Sequence, residues 1–131
     1  MAASHPAHSA AWRAQGRTIV AELTGQLIAF AEVILGATHA LVPPGPSAEL
    51  THLYVQSPFL RREVGRLLLR RAETLASSGA STLWLTTWVG NKRALAFYAS
   101  QGYEQLGRTE YAFKGDAYEN RLFTKALRAK T

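Results

Sequence analysis

Glu49-Leu-Thr-His-Leu-Tyr-Val55 is followed by an amphipathic stretch from Arg62 to Ser77, and then by Ser81-Thr-Leu-Trp-Leu-Thr-Thr-Trp-Val89. The outer two segments are short runs rich in β-branched and aromatic residues, so they read as strands. The middle segment places Val64, Leu67, Leu68, Ala72 and Leu75 on one side and arginines on the other, which is helical spacing. Gly79 follows as the expected C-terminal cap. A strand, a helix and a second strand in this order predict a parallel pair joined by a right-handed crossover.

The pattern extends in both directions. Upstream, Thr18 to Leu23 and Gln26 to Leu35 flank Thr24-Gly25 and predict an antiparallel hairpin. Gly36 to Ser47 carries three prolines and two glycines and predicts a loop. Downstream, Asn91 can cap a second helix running through Leu95 and Phe97 to Ser100, with Gly102 ending it. Tyr103 to Leu127 predicts two strands broken at Lys114-Gly115-Asp116. Residues 1–15 are rich in Ala, Ser and His and predict a flexible arm before one domain at 16–131. They lack the basic start and apolar segment of a secretory signal. His5 and His8 have no further ligand nearby for a metal. The expected fold is α/β (or α+β): one mixed, mostly antiparallel twisted sheet with a central parallel strand pair and helices packed on it.

Composition narrows the function classes. A chain of 131 residues is one domain, and 47% hydrophobic with 18% charged content excludes a wholly disordered chain, a coiled coil and a collagen-like fibre. There is no cysteine, hence no disulfide framework, thiolate zinc site or cysteine nucleophile, which fits a reducing, cytoplasmic location. No apolar run approaches the ~20 residues of a membrane span. The net charge of +6 is uneven, −1 over residues 1–60 and +7 over 61–131. The second half therefore suits an anionic partner, with nucleic acid, an anionic membrane surface and a phosphate-bearing cofactor as the possibilities.

Two groups of residues point to chemistry. Arg61, Arg62, Arg66, Arg70 and Arg71 fall within eleven residues from the start of the first helix, whose unpaired N–H groups suit a phosphate; a solvated helix face is the alternative. Asn91 and Tyr98 lie two helical turns apart on one face, where an amide can contact a ligand and a phenol can donate a proton; a helix cap and a half-buried core tyrosine are the alternative. Both helices start at the carboxyl ends of the parallel strands, where ligands bind in such sheets.

In sum the chain resembles the GNAT superfamily of acyl-CoA-dependent N-acetyltransferases over about Gly16 to Leu127. The resemblance rests on the hairpin, on Glu49-Leu-Thr-His-Leu-Tyr-Val55, on the arginine loop, and above all on Asn91-Lys-Arg-Ala-Leu-Ala-Phe-Tyr-Ala-Ser-Gln-Gly-Tyr103. It implies a GNAT-like fold and acetyl transfer from acetyl-CoA, as co-substrate, to a primary amine, without a metal. It further implies that free backbone groups around Leu53 to Val55, those of Leu53 and Val55 above all, bind the pantetheine arm. The loop with Arg61, Arg62, Val64, Gly65 and Arg66 then holds the pyrophosphate, Asn91 contacts the pantetheine side, and Tyr98 protonates the departing thiolate. Glu49 stands where some members carry a general base.

Two departures from the family follow. The loop pattern Gln/Arg-x-x-Gly-x-Gly/Ala aligns with Leu60, Glu63 and Gly65, so only the last glycine is kept. Glu63 puts a like charge beside a pyrophosphate, although a glutamate suits a helix N-terminus. The usual strand and two helices before the hairpin are also missing from the pattern, which predicts a homodimer covering the bare surface. These departures frame an alternative, a catalytically impaired GNAT-like binding or dimerisation module with weak or no CoA binding. Nucleic-acid binding is disfavoured, because the aromatic residues read mostly as sheet core and no nucleic-acid motif is present.

Overall fold

The computed structural model describes residues 10–59 and 63–127. Its strands are β1 (Ala11–Gln15), β2 (Thr18–Leu23), β3 (Gln26–Leu35), β4 (Ser47–Val55), β5 (Thr82–Trp88), β6 (Glu104–Phe113) and β7 (Asp116–Ala126). The α-helices are α1 (Val64–Ala76) and α2 (Lys92–Ser100). The strands form one sheet in the order β1-β2-β3-β4-β5-β7-β6. Every neighbouring pair is antiparallel except β4 and β5, as the sequence pattern predicts.

Turn chemistry sets the hairpins. Thr24 and Gly25 have φ of 50° and 79°, and Lys114 and Gly115 have 51° and 84°. Two successive left-handed residues match the twist of antiparallel strands. Gly102, with φ 91°, ends α2 as expected. Gly79 is a correction: the cap comes two residues earlier, at the right-handed Ser77. The Ser77 and Ser78 hydroxyls bond the carbonyls of Thr74 and Leu75, so side chains do the work expected of a left-handed glycine.

The last five residues of the expected arm, Ala11–Gln15, form β1 on the sheet edge, so the strand expected to be missing before the hairpin is present. Arg13 pairs with Glu22 across it at 2.7 Å, and Trp12 lies under the Arg71 guanidinium. An edge strand this exposed carries no alternation of burial, so its sequence has no strand signal.

Both helices pack on one face of the sheet. α1 buries Val64, Leu68, Leu69, Ala72 and Ala76 over β2, β3 and β4. Complete burial of Leu68 and Leu69 contributes about 1.5–3 kcal/mol each. On the other face, the Gly36–Pro46 loop covers β5: the Trp84 indole donates to the Ala37 carbonyl at 2.9 Å, and His39 packs on its ring. The part of that face over β3 and β4 has no such cover among the described residues.

At their C-terminal ends the two helices are tied together. The Glu73 carboxylate accepts from the Tyr103 hydroxyl at 2.7 Å, from Lys125 at 3.1 Å and from Arg70 at 3.1 Å. Arg70 also donates to Gln101 after α2. Burial and the hydrogen bond to Glu73 push the Tyr103 phenol far above its ordinary value.

Candidate active site

The central parallel pair is short. β4 and β5 are in register only at Ser47–Glu49 against Thr82–Trp84. Beyond Glu49 the strands part: β4 stays with β3 through Val55, and β5 stays with β7 through Trp88. A bulge at the Glu32/Val33 step against β4 accompanies the departure, since bulges bend and twist a strand.

The parting leaves backbone groups free. The Gln56 N–H bonds the Ile28 carbonyl on β3. Alternation along the strand then directs the backbone groups of Leu53 and Val55 the other way, into the gap. A cleft of about 450 Å³ opens there, lined by Leu53, Tyr54 and Val55 of β4, by the starts of α1 and α2, and by Phe97 and Tyr98.

The helix starts are built differently. Asn91 caps α2, its side-chain oxygen accepting from the Ala94 N–H at 3.2 Å. That leaves its NH₂ group for the cleft it lines. Glu63 precedes α1 in a left-handed conformation, φ 63°, and makes no side-chain cap. Its carboxylate instead pairs with Arg66 at 2.6 Å. The left-handed conformation is where glycine is relaxed and glutamate strained, which explains why a glycine fits this position in the loop pattern. Gly65 lies at close quarters: an added Cβ would meet Phe97 and Val55, each at 3.7 Å.

Tyr98 is 8% exposed and packs edge-on against Phe97 and Tyr103. Burial pushes its phenol up to about 12. It therefore stays protonated through neutral pH, and no hydrogen bond to its hydroxyl is seen among the described residues.

Leu53, Val55, Gly65, Arg66, Asn91 and Tyr98, all expected from the sequence, come together around this cleft. Val64 does not line it, because its side chain is fully buried under α1. Arg61 and Arg62 lie outside the described residues, as do Leu60, His5 and His8. Arg70 and Arg71 are engaged elsewhere, with Glu73 and Trp12. Glu49 is apart from the cleft, on the helix-free face beside Trp84. Burial pushes its carboxyl up, against the pull of His39 and His52.

Tyr54, within the expected Leu53 to Val55 stretch, also lines the cleft, and Arg93, Ala94 and Phe97 line it but escaped the sequence reading. Lys92 and Arg93 open α2 with no acid in its first turn. Cations at the positive end of a helix dipole are misplaced unless an anion joins them, and that signal was available in the sequence.

Comparisons with known proteins agree with this geometry. The model of the acetyltransferase (GNAT) family matches residues 2–103. An uncharacterized N-acetyltransferase from the pepI 3' region of Lactobacillus delbrueckii subsp. lactis is 31% identical over 80 residues, covering 60% of this chain and 46% of that protein. This chain thus spans about half the length of that curated relative. The ribosomal-protein-alanine N-acetyltransferase of Brucella melitensis superposes with a TM-score of 0.68 at 25% identity, over 84% of this chain and 68% of its own. Arabidopsis thaliana Naa50, in complex with the bisubstrate analogue CoA-Ac-MVNAL, superposes with a TM-score of 0.69 at 17% identity, over 83% and 72%. With a family match over most of its length and the same fold, the chain belongs to the GNAT acetyltransferase family.

Proposed function

We propose that the protein transfers an acetyl group from acetyl-CoA to a primary amine by direct attack. The observation that carries this reading is the parting of β4 from β5 beside Tyr98. It offers a thin acyl-thioester arm unpaired backbone groups on one side and apolar walls on the other. The residues suit such a ligand: Leu53 and Val55 present backbone groups, Phe97 and Ala94 present apolar surface, and Arg66 and Arg93 supply cations for its phosphates. A bisubstrate analogue containing CoA in Naa50, a protein of the same fold, supports the choice of donor.

The reaction follows from these parts. The amine attacks the thioester carbonyl carbon, and a β4 N–H stabilises the developing oxyanion. The C–N bond forms, the C–S bond breaks, and the sulfur receives the Tyr98 proton. Holding both reactants together removes much of the entropic barrier. The test is calorimetric titration with acetyl-CoA, followed by turnover of Tyr98→Phe. Acetyl-CoA at a hundred times its dissociation constant adds about 2.7 kcal/mol of stability. Tyr98→Phe should lower kcat about a hundredfold with affinity nearly intact, as expected for loss of a general acid. Unchanged turnover removes that role from Tyr98.

One observation favours the impaired-module alternative: the Glu63 carboxylate stands at the start of α1 and occupies Arg66. Absence of any thermal shift with millimolar acetyl-CoA selects it. Self-association belongs to either reading. Beyond Asn120, β6 and β7 project past β5 as a two-stranded ribbon that exposes Tyr111, Phe113 and Tyr118. A second copy covering this ribbon would supply the packing that two strands alone lack. A monomeric mass by light scattering at high concentration excludes the dimer.

A further inference from the structure

We infer that His52 is the base that takes the proton lost by the acceptor amine. The inference rests on the acetyl-transfer reading and names a group that reading leaves open.

The helix-free face of β4 carries a relay of hydrogen bonds. The Thr51 hydroxyl donates to Glu32 Oε1 at 2.7 Å. Its single proton is then spent, so toward His52 Nδ1, 3.2 Å away, it can only accept. Nδ1 therefore carries the ring proton, with Glu32 Oε1 beyond it at 3.4 Å. Nε2 is left with its lone pair, which is the tautomer a base requires. Phe30 lies 6.2 Å from the imidazole and 5.6 Å from the Tyr54 ring, so the three rings form a row.

Position along the strand decides between His52 and Glu49. The free backbone groups that receive the thioester begin at Leu53. The Cα of His52 is one residue away, about 3.8 Å. The Cα of Glu49 is four residues away, about 13 Å at the strand rise. Glu49 also sits where β4 and β5 are still paired, whereas His52 stands where they have parted. An acceptor reaching the thioester through the gap from the helix-free face meets His52 first. On the helix side the gap is the cleft lined by Phe97 and Tyr98, which the thioester arm itself fills in that reading.

Protons balance. The amine nitrogen gives one proton to His52 Nε2 as it becomes an amide, and the sulfur takes one from Tyr98. Solvent then removes the former and restores the latter. The charged groups facing His52 are Glu32 from β3 and Glu49 from its own strand, while Arg17 acts on Glu32.

The experiment measures kcat against pH for the natural chain, His52→Gln and His52→Ala, with acetyl-CoA and a primary amine. His52 is largely exposed, so both variants should fold. His52→Gln should lower kcat about a hundredfold, the loss of one general base. It should leave the KM for acetyl-CoA nearly unchanged and abolish the acid limb of the profile. Added imidazole should restore part of the activity of His52→Ala but not of the natural chain. If His52→Gln keeps kcat and the acid limb, the inference is overturned while the transfer reading stands. If the natural chain binds acetyl-CoA but acetylates no amine, both are overturned.

Discussion

The two ends of the α1–α2 pair are built for opposite purposes. At the C-terminal end, Glu73 gathers Tyr103, Lys125 and Arg70 into one network that ties both helices to β7. At the N-terminal end the helices separate around the cleft. One start there is strained and uncapped, and the other opens with two cations. The sheet beneath repeats the design, with β4 and β5 paired at Glu49 and parted beyond it. A closed end that holds its geometry allows the open end to keep free backbone groups, which would otherwise be costly to leave unpaired.

The closed end should be the costlier to break. Glu73→Ala removes the acceptor shared by Tyr103, Lys125 and Arg70, leaving a partly buried cation unpaired. A loss of about 3 kcal/mol is expected, near the lower bound for breaking a buried pair. Denaturant midpoints measure it. Glu73→Gln, which keeps an acceptor, should lose less. A loss no larger than an exposed pair's would show that the two ends do not differ in rigidity.

The open end should respond in binding rather than stability. Gly65→Val places a branched side chain between Phe97 and Val55, where even a Cβ finds neighbours at 3.7 Å. Acetyl-CoA affinity should fall at least about tenfold, ~1.4 kcal/mol. Stability should hardly change, because valine is no worse than glycine in a helix. Calorimetry and thermal melts separate the two quantities. Unaltered affinity would place the ligand elsewhere.

The two helix starts differ in a way that substitution can sharpen. Asn91→Ala removes a hydrogen-bonded cap and should cost about 1 kcal/mol. Glu63→Gly should go the other way. Relief of a left-handed glutamate is worth about 1 kcal/mol, and the exposed pair it gives up is worth less. Acetyl-CoA should bind more tightly to Glu63→Gly, since a like charge leaves the helix start and Arg66 is released. If Glu63→Gly instead weakens binding, the glutamate is part of the site.

Much of this contrast was legible in the sequence, and what escaped did so for physical reasons. Strong periodicity gave away α1 and alternation the hairpin strands, because burial on one face imprints spacing, while the Asn91 cap and Gly102 gave away α2. Turn glycines gave away the hairpin junctions. β1 escaped because an exposed edge strand imprints nothing. Gly79 misled because serine hydroxyls ended α1 first. Gly65, Asn91 and Tyr98, expected from the family motif, line the cleft because each stands at a fixed place at the start or on the face of a helix. The Glu32–Thr51–His52 relay was not, because its members lie on two strands brought together by a bulge, and no local pattern encodes that register.

Glu49 offers the smallest test, and it belongs to the closed end. Burial raises its carboxyl above 4.5, with His39 and His52 pulling the other way. A carboxyl raised in the folded state means that the folded chain binds more protons than the unfolded one between the two values. Stability from this group is then present at acid pH and lost as pH rises through the folded value. At neutral pH the carboxylate is a liability, so Glu49→Gln should be as stable as the natural chain or slightly more so. The gain should stay within about 0.5 kcal/mol and shrink as pH falls through the raised folded value towards 4.5. Denaturant midpoints between pH 4 and pH 7 show which sign holds. A loss at neutral pH would mean that the carboxylate is held by a partner stronger than the two histidines, and that the paired end of the strands is electrostatic rather than packed.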